Sequence, residues 1–83
     1  MGVTPRYATV RKNEDGSWAY LCDADGVVLA MNERRARTAV EYLRLVCSAH
    51  TYAMERLPGS QSSRALPESK SLSVLANATW RRL

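Results

Sequence analysis

The sequence predicts an α+β fold: a three-stranded antiparallel β-meander packed on one long α-helix, with a short C-terminal element. Three observations predict it. Two near-identical turn sequences, Asn13-Glu14-Asp15-Gly16 and Asp23-Ala24-Asp25-Gly26, separate three short runs rich in Val, Thr, Trp and Tyr. A Gly- and Pro-free stretch from Asn32 to Leu57 follows, with apolar residues at helical spacing. The whole chain has 83 residues, of which 46% are apolar, as expected of one small globular domain near the size where a single core is marginal.

The meander is expected over residues 6–31, with strands at Tyr7 to Lys12, Trp18 to Cys22 and Val27 to Met31. In each joint an Asn or Asp opens a type I turn and a Gly takes the left-handed position, which makes a three-residue hairpin with a G1 bulge. That turn type sets the register. Asn13 lies opposite Ser17, followed by Lys12–Trp18, Val10–Tyr20 and Ala8–Cys22; Asp23 lies opposite Val27, followed by Cys22–Val28 and Tyr20–Ala30. One face then carries Ala8, Val10, Trp18, Tyr20, Cys22, Val28 and Ala30. The other carries Tyr7, Thr9, Arg11, Ala19, Leu21, Val27, Leu29 and Met31. The first, with its large rings, is expected to face the helix. The second holds several sizeable apolar side chains and needs a cover of its own.

The helix is expected over residues 32–57, about 37 Å long at 1.5 Å per residue. Asn32 is a natural N-cap, and Leu57-Pro58-Gly59 stops the helix. One apolar stripe is Ala36, Ala39, Val40, Leu43, Val46, Cys47, His50, Met54 and Leu57. A second, offset stripe is Tyr42, Leu45, Ala49, Tyr52 and Ala53. A helix apolar on two sides needs two things to pack against. Residues 58–68 read as a loop. The last element, residues 69–83, fits both periods: Leu72, Val74, Ala76, Ala78 and Trp80 alternate as in a strand, while Leu72, Leu75, Ala76, Thr79 and Leu83 suit a helix. The helix is favoured. A tail this short cannot hide both the helix's second stripe and the sheet's second face, so one of those two surfaces is expected to be an interface.

The net charge of +4 is uneven. Residues 1–31 carry three basic and four acidic side chains, residues 32–57 five and three, and residues 58–83 four and one. This modest excess is compatible with nucleic acid without specifying it. There is no run of eighteen apolar residues and no signal peptide, so a cytoplasmic protein without a membrane segment is expected. Ten Arg against two Lys, with no Phe or Ile, suggests a GC-rich bacterial or phage source.

Candidate chemistry is sparse. Cys22, Cys47 and His50 are the only soft ligands that could converge, but they lack paired-cysteine spacing, and buried reduced thiols are the preferred reading; no metal or cofactor is assigned. The carboxylates Glu14, Asp15, Asp23 and Asp25 belong to the turns, and no phosphate loop or nucleophile motif is present, so no catalytic residues are assigned. Arg34, Arg35 and Arg37 stand in the first turns of the helix, where its dipole disfavours positive charge. A partner's phosphates or carboxylates would offset that cost. The expected partner-binding residues are therefore Arg34, Arg35, Arg37 and Arg11, with Leu21, Leu29 and Met31 from the second sheet face and Tyr42 and Tyr52 from the second helix stripe.

The order of strand, turn ending Asp15-Gly16, Ser17-Trp18-Ala19-Tyr20, second turn and helix, over residues 6–47, resembles the arm-type DNA-binding domain of phage integrases. That resemblance implies a three-stranded sheet laid in the major groove, with Tyr7, Thr9 and Arg11 on the reading face. Leu21, Leu29 and Met31 on the same face favour a protein partner or self-association instead. A tiny chain without catalytic motifs also resembles, by size and style, the phage-encoded anti-CRISPR inhibitors, which implies a stoichiometric plug on a host nucleoprotein complex. The expected function is thus non-enzymatic protein binding of this inhibitor type. A small DNA-binding accessory protein using Arg11 and Arg34 to Arg37, or an obligate homodimer, are the alternatives.

Overall fold

The computed structural model describes residues 5–66, 75 and 78–82. Its elements are β1 (Tyr7–Lys12), β2 (Trp18–Cys22), β3 (Val28–Ala30), α1 (Glu33–Val46), β4 (Tyr52–Arg56), β5 (Ser63–Ala65) and β6 (Thr79–Arg82). They form one mixed six-stranded sheet with a single helix packed on it, not a three-stranded meander on a long helix. The strand order is β4-β1-β2-β3-β5, and β6 pairs with β2 outside that path. All pairings are antiparallel except β3 with β5.

Both hairpin turns form as their sequences require. Gly16 and Gly26 sit at φ +88° and +81°, a region where a side chain is strained. In each turn the Gly N–H donates back across the loop, Gly16 to the Asn13 carbonyl and Gly26 to the Asp23 carbonyl, both at 3.0 Å. Val10–Tyr20, Lys12–Trp18 and Cys22–Val28 pair as the turn type dictates. Ala8–Cys22 and Tyr20–Ala30 do not pair. Ala8 stands opposite Glu55, and Tyr20 opposite Arg81.

The reason is parity. Backbone N–H and C=O groups alternate between the two edges of a strand with period two. Ser17 accepts from Asn13 across the first turn, and Asp23 donates to Val27 across the second. These residues are six apart, an even number, so both hairpins address the same edge of β2. β1 and β3 cannot both run along that edge. They share it and then diverge, and Tyr7 exchanges two backbone hydrogen bonds with Met31 where they part. The other edge of β2 is left for β6, which pairs with it from Ala19 to Cys22.

The helix is 14 residues long and ends eleven residues before Leu57. Asn32 caps it as expected, its side-chain oxygen accepting from the Arg35 N–H at 2.8 Å. Beyond Cys47, whose N–H closes the last helical bond to Leu43, the chain turns and returns beside β1 as β4. The apolar residues Tyr52, Met54 and Leu57 continue the helical period only by coincidence; Tyr52 and Leu57 are buried in the sheet's own cores. The second helix stripe therefore does not exist beyond Tyr42 and Leu45. Within the expected loop at residues 58–68, β5 forms a short strand. The C-terminal element is a strand at Thr79–Arg82 rather than a helix; residues 69–74, 76–77 and 83 lie outside those described.

The sheet faces are also reversed from expectation. The main core joins Leu21, Leu29 and Met31 of the second face to Ala36, Ala39, Val40 and Leu43 of α1, with Tyr52, Leu66 and Leu75 closing it. These long aliphatic side chains can fill the space between two layers, each contributing about 1.5–3 kcal/mol when buried. The other face holds the smaller residues Ala8, Cys22, Val28 and Ala30, with Leu57 and Tyr20 packed against them. Its largest ring, Trp18, is left 37% exposed. No helix among the described residues is long and apolar enough to cross a membrane.

Candidate functional site

Three surfaces carry the chemistry of this chain. The first is the outward side of α1. At 100° per residue Leu45 lies about 200° around the helix from buried Leu43. It is 84% exposed and neighbouring Val46 is 49% exposed. Tyr42, Leu45 and Val46 have the i, i+3, i+4 spacing that makes them neighbours on a helix surface. Tyr42 leans partly on the main core, which holds one side of this apolar patch in place. Arg34, Thr38, Glu41 and Leu45 run along the outermost line at i, i+4, i+7 and i+11. Glu33 and Arg37 pair at 3.1 Å across one turn, and Arg44 donates to the Tyr52 carbonyl at 3.2 Å, which ties the last helical turn to β4. Arg34 is exposed and has no ion-pair partner among the described residues.

The second surface is the turn end of the sheet, where charge is matched internally. Arg64 pairs with Asp23 at 2.5 Å and Asp25 at 3.1 Å, and Arg82 pairs with Asp15 at 3.0 Å. Arg81 donates to the Gly26 carbonyl at 2.8 Å. The carboxylates are also held by the turns themselves. Hydrogen bonds from the Ser17 hydroxyl and N–H push the Asp15 carboxyl below its usual range, with Arg82 adding to them. The Val27 N–H does most to lower Asp23, with help from Arg64. On the neighbouring sheet face the Tyr20 hydroxyl donates to Glu55 at 2.5 Å, and this bond to a carboxylate raises Tyr20 to about 12.

The third surface is a groove of about 450 Å³ between the end of α1, β1, β4 and β6. Leu43 and Leu75 form its apolar floor, and Tyr52 and Trp80 meet beside it with centroids 5.8 Å apart. The His50 ring stands edge-on to Tyr52 at 6.2 Å. Arg11 lies with its guanidinium carbon 4.9 Å from the centre of the Trp80 ring. Burial is the main cause raising the Tyr52 hydroxyl above its ordinary value.

The sequence-predicted partner residues scatter over these surfaces. Arg34, Arg35, Arg37 and Tyr42 stay together on α1. Leu21, Leu29 and Met31 are buried under that helix, and Tyr52 is buried in β4, so none of the four can meet a partner in the folded chain. Arg11 lies in the groove, not on an open reading face. The face that would enter a DNA groove by analogy with integrase arms is the one covered by α1. Cys22 and Cys47 are free thiols in different packing clusters, so Cys22, Cys47 and His50 do not gather at one point. Among the described residues no three His, Cys, Asp or Glu side chains are placed to hold a metal ion. Sequence reasoning overlooked Val46, assigned to the buried stripe, and Trp80, which has no partner until β6 is placed beside β2. No protein-family model, curated protein or solved structure matches this chain.

Proposed function

We propose that this chain is a non-enzymatic protein-binding module that docks through the outward side of α1 onto an acidic protein surface with an apolar centre. The observation that carries the proposal is Leu45, 84% exposed beside Val46 and Tyr42 on a helix capped at one end and tied to the sheet at the other. A single exposed leucine needs no explanation, but three adjacent apolar side chains on a rigid element form a contact patch with little ordering cost. The flanking charge favours protein over nucleic acid. Arg34, Arg37 and Arg44 would attract carboxylates, while Glu33 and Glu41 on the same surface would repel a continuous phosphate backbone. A stoichiometric inhibitor of the anti-CRISPR kind, seated on a host nucleoprotein complex in the bacterial cytoplasm, needs a surface of this description and no catalytic group. Free Cys22 and Cys47 suit that reducing compartment.

The test is affinity capture from a GC-rich bacterial lysate with four immobilised baits: the wild type, Leu45→Asp, Arg34→Glu and Arg64→Ala. The expected outcome is a defined protein or complex held by the wild type and Arg64→Ala, weakened by Arg34→Glu and lost with Leu45→Asp, whose melting temperature is unchanged. A doubled solution mass abolished by Leu45→Asp would make the partner a second copy of the chain. If no captured protein and no self-association distinguishes the wild type from Leu45→Asp, the helix surface is not a docking site.

A further inference from the structure

We infer that the groove between α1, β4 and β6 is a second, separate binding site, for a carboxylate attached to an aromatic or branched apolar group. It lies on the sheet side of the helix end, away from outward-facing Leu45, and does not depend on the docking proposed for α1. Among the described residues its lining contains Arg11 and His50 but no Asp or Glu, so the fixed charge they place there, that of Arg11, is positive. Elsewhere the fold gives arginines internal acceptors: Arg64 and Arg82 take turn carboxylates, and Arg81 a turn carbonyl. Arg11 differs. It sits in β1, flanked by Ala19 of β2 and Tyr52 of β4, so its backbone is fixed from both sides. Its guanidinium rests on Trp80, and its Nε is buried with no hydrogen-bond partner among the described residues.

A guanidinium whose carbon lies 4.9 Å from an indole centre can still offer N–H groups to a carboxylate. Beside it, the partly exposed Trp80 and Ala78 and the exposed Ala49 offer apolar contact for a ring or branched chain, above the nearly closed Leu43, Tyr52 and Leu75. The groove volume of about 450 Å³ lies in the range of small-ligand sites. Size and chemistry together suit one aryl or branched-chain carboxylate. Two sources carry that group: a free small acid, or the last residue of a peptide with a free C-terminus.

The experiment is a titration of the full-length chain followed by amide and indole N–H resonances. Four probes are used: 3-phenylpropionate, its neutral amide, a pentapeptide ending in free Phe, and the same peptide amidated. The expected result is saturable movement of the Trp80 indole and Arg11 amide signals by at least one carboxylate probe, with binding about tenfold weaker or worse for the matching amide. Tighter binding of the free small acid identifies a small-molecule site; tighter binding of the peptide identifies capture of a chain end. Arg11→Gln should reduce the carboxylate's affinity to that of the amide. If that variant fails to fold, the acid–amide comparison on the wild type still decides the matter. No saturable shift with either carboxylate, or equal affinity for acid and amide, overturns the inference.

Discussion

Arg34 and Arg81 are both exposed arginines, and the fold uses them in opposite ways. Arg81 reaches back to the Gly26 carbonyl, while Arg82 and Arg64 beside it take Asp15, Asp23 and Asp25. The basic excess of the last third of the chain is thereby matched to the acidic excess of the first, and β5 and β6 are fastened to the two hairpin turns. On α1 the arrangement is different. Arg34 starts the outward line that reaches exposed Leu45 about 16 Å further along the helix, and it has no ion-pair partner among the described residues. The distribution of net charge along a sequence therefore did not locate a partner: the most basic segment is the one whose arginines are occupied.

The sharpest break in this comparison should come at the turns. Gly16 and Gly26 have nearly the same φ, so placing alanine at either costs about 1–2 kcal/mol for the left-handed conformation alone. At Gly16 nothing lies within 4 Å of an added methyl, and the cost should stop there. At Gly26 the methyl would fall 2.5 Å from the Arg81 guanidinium, which must swing away and give up the carbonyl it holds. Gly26→Ala is therefore expected to melt lower than Gly16→Ala, and replacing Arg81 with Ala in both backgrounds should narrow the difference. Equal melting temperatures for the two glycine variants would show that Arg81 does not fasten the tail.

A smaller effect is expected in acid. Asp15 and Asp23 are held below their ordinary values in the folded chain, so their contribution is fully present above the unfolded value and is lost as pH falls through the folded one. The window lies below about pH 4. The wild type should lose stability there more steeply than a chain carrying Arg64→Ala and Arg82→Ala, and added salt should shrink the gap because Arg64, Arg82 and Asp15 are exposed, though Asp23 is largely covered. At the alkaline end Tyr20 is expected to ionise near 12, as read by ultraviolet titration. Its bond to Glu55 stabilises the fold below pH 10 and is lost as pH rises through that folded value. Glu55→Gln should bring Tyr20 downward.

The smallest effect on stability should come from α1. Leu45→Asp and Arg34→Glu remove no buried contact and should shift unfolding by no more than about 0.5 kcal/mol. Leu43→Ala, two residues from Leu45 but 1% exposed, should cost about 2–5 kcal/mol.

Much of the local structure could be read from the residues. The two turns, the Asn32 cap and three of the cross-strand pairs follow directly from turn and capping chemistry. What could not be read was competition between elements. Met54 and Leu57 satisfy helical spacing from Leu43, and Tyr52 from Leu45; only the mostly polar run Ser48-Ala49-His50-Thr51, with no Gly or Pro, marks the end of the helix. The face that meets the helix is set by reach rather than ring size: Leu21, Leu29 and Met31 extend to α1, whereas Ala8, Cys22 and Ala30 are too short to do so. The even spacing of Ser17 and Asp23 already requires both hairpins to share an edge of β2 and leaves the opposite edge for another strand. Trp80 could then have been placed, and with it the groove around Arg11. On α1, Tyr42 and Leu45 were legible as a stripe that needed a cover, and they remain the core of the proposed docking surface.

Docking through α1 is tested most directly by site-specific photocrosslinking in the bacterial cytoplasm, with the photoreactive residue placed at position 45 in one chain and at position 64 in another. The helix position should yield a discrete crosslinked protein that disappears when Arg34→Glu is added, and position 64 should yield none. Discrete crosslinks at position 64 with none at position 45 would contradict the assignment of α1 as the surface through which this chain works.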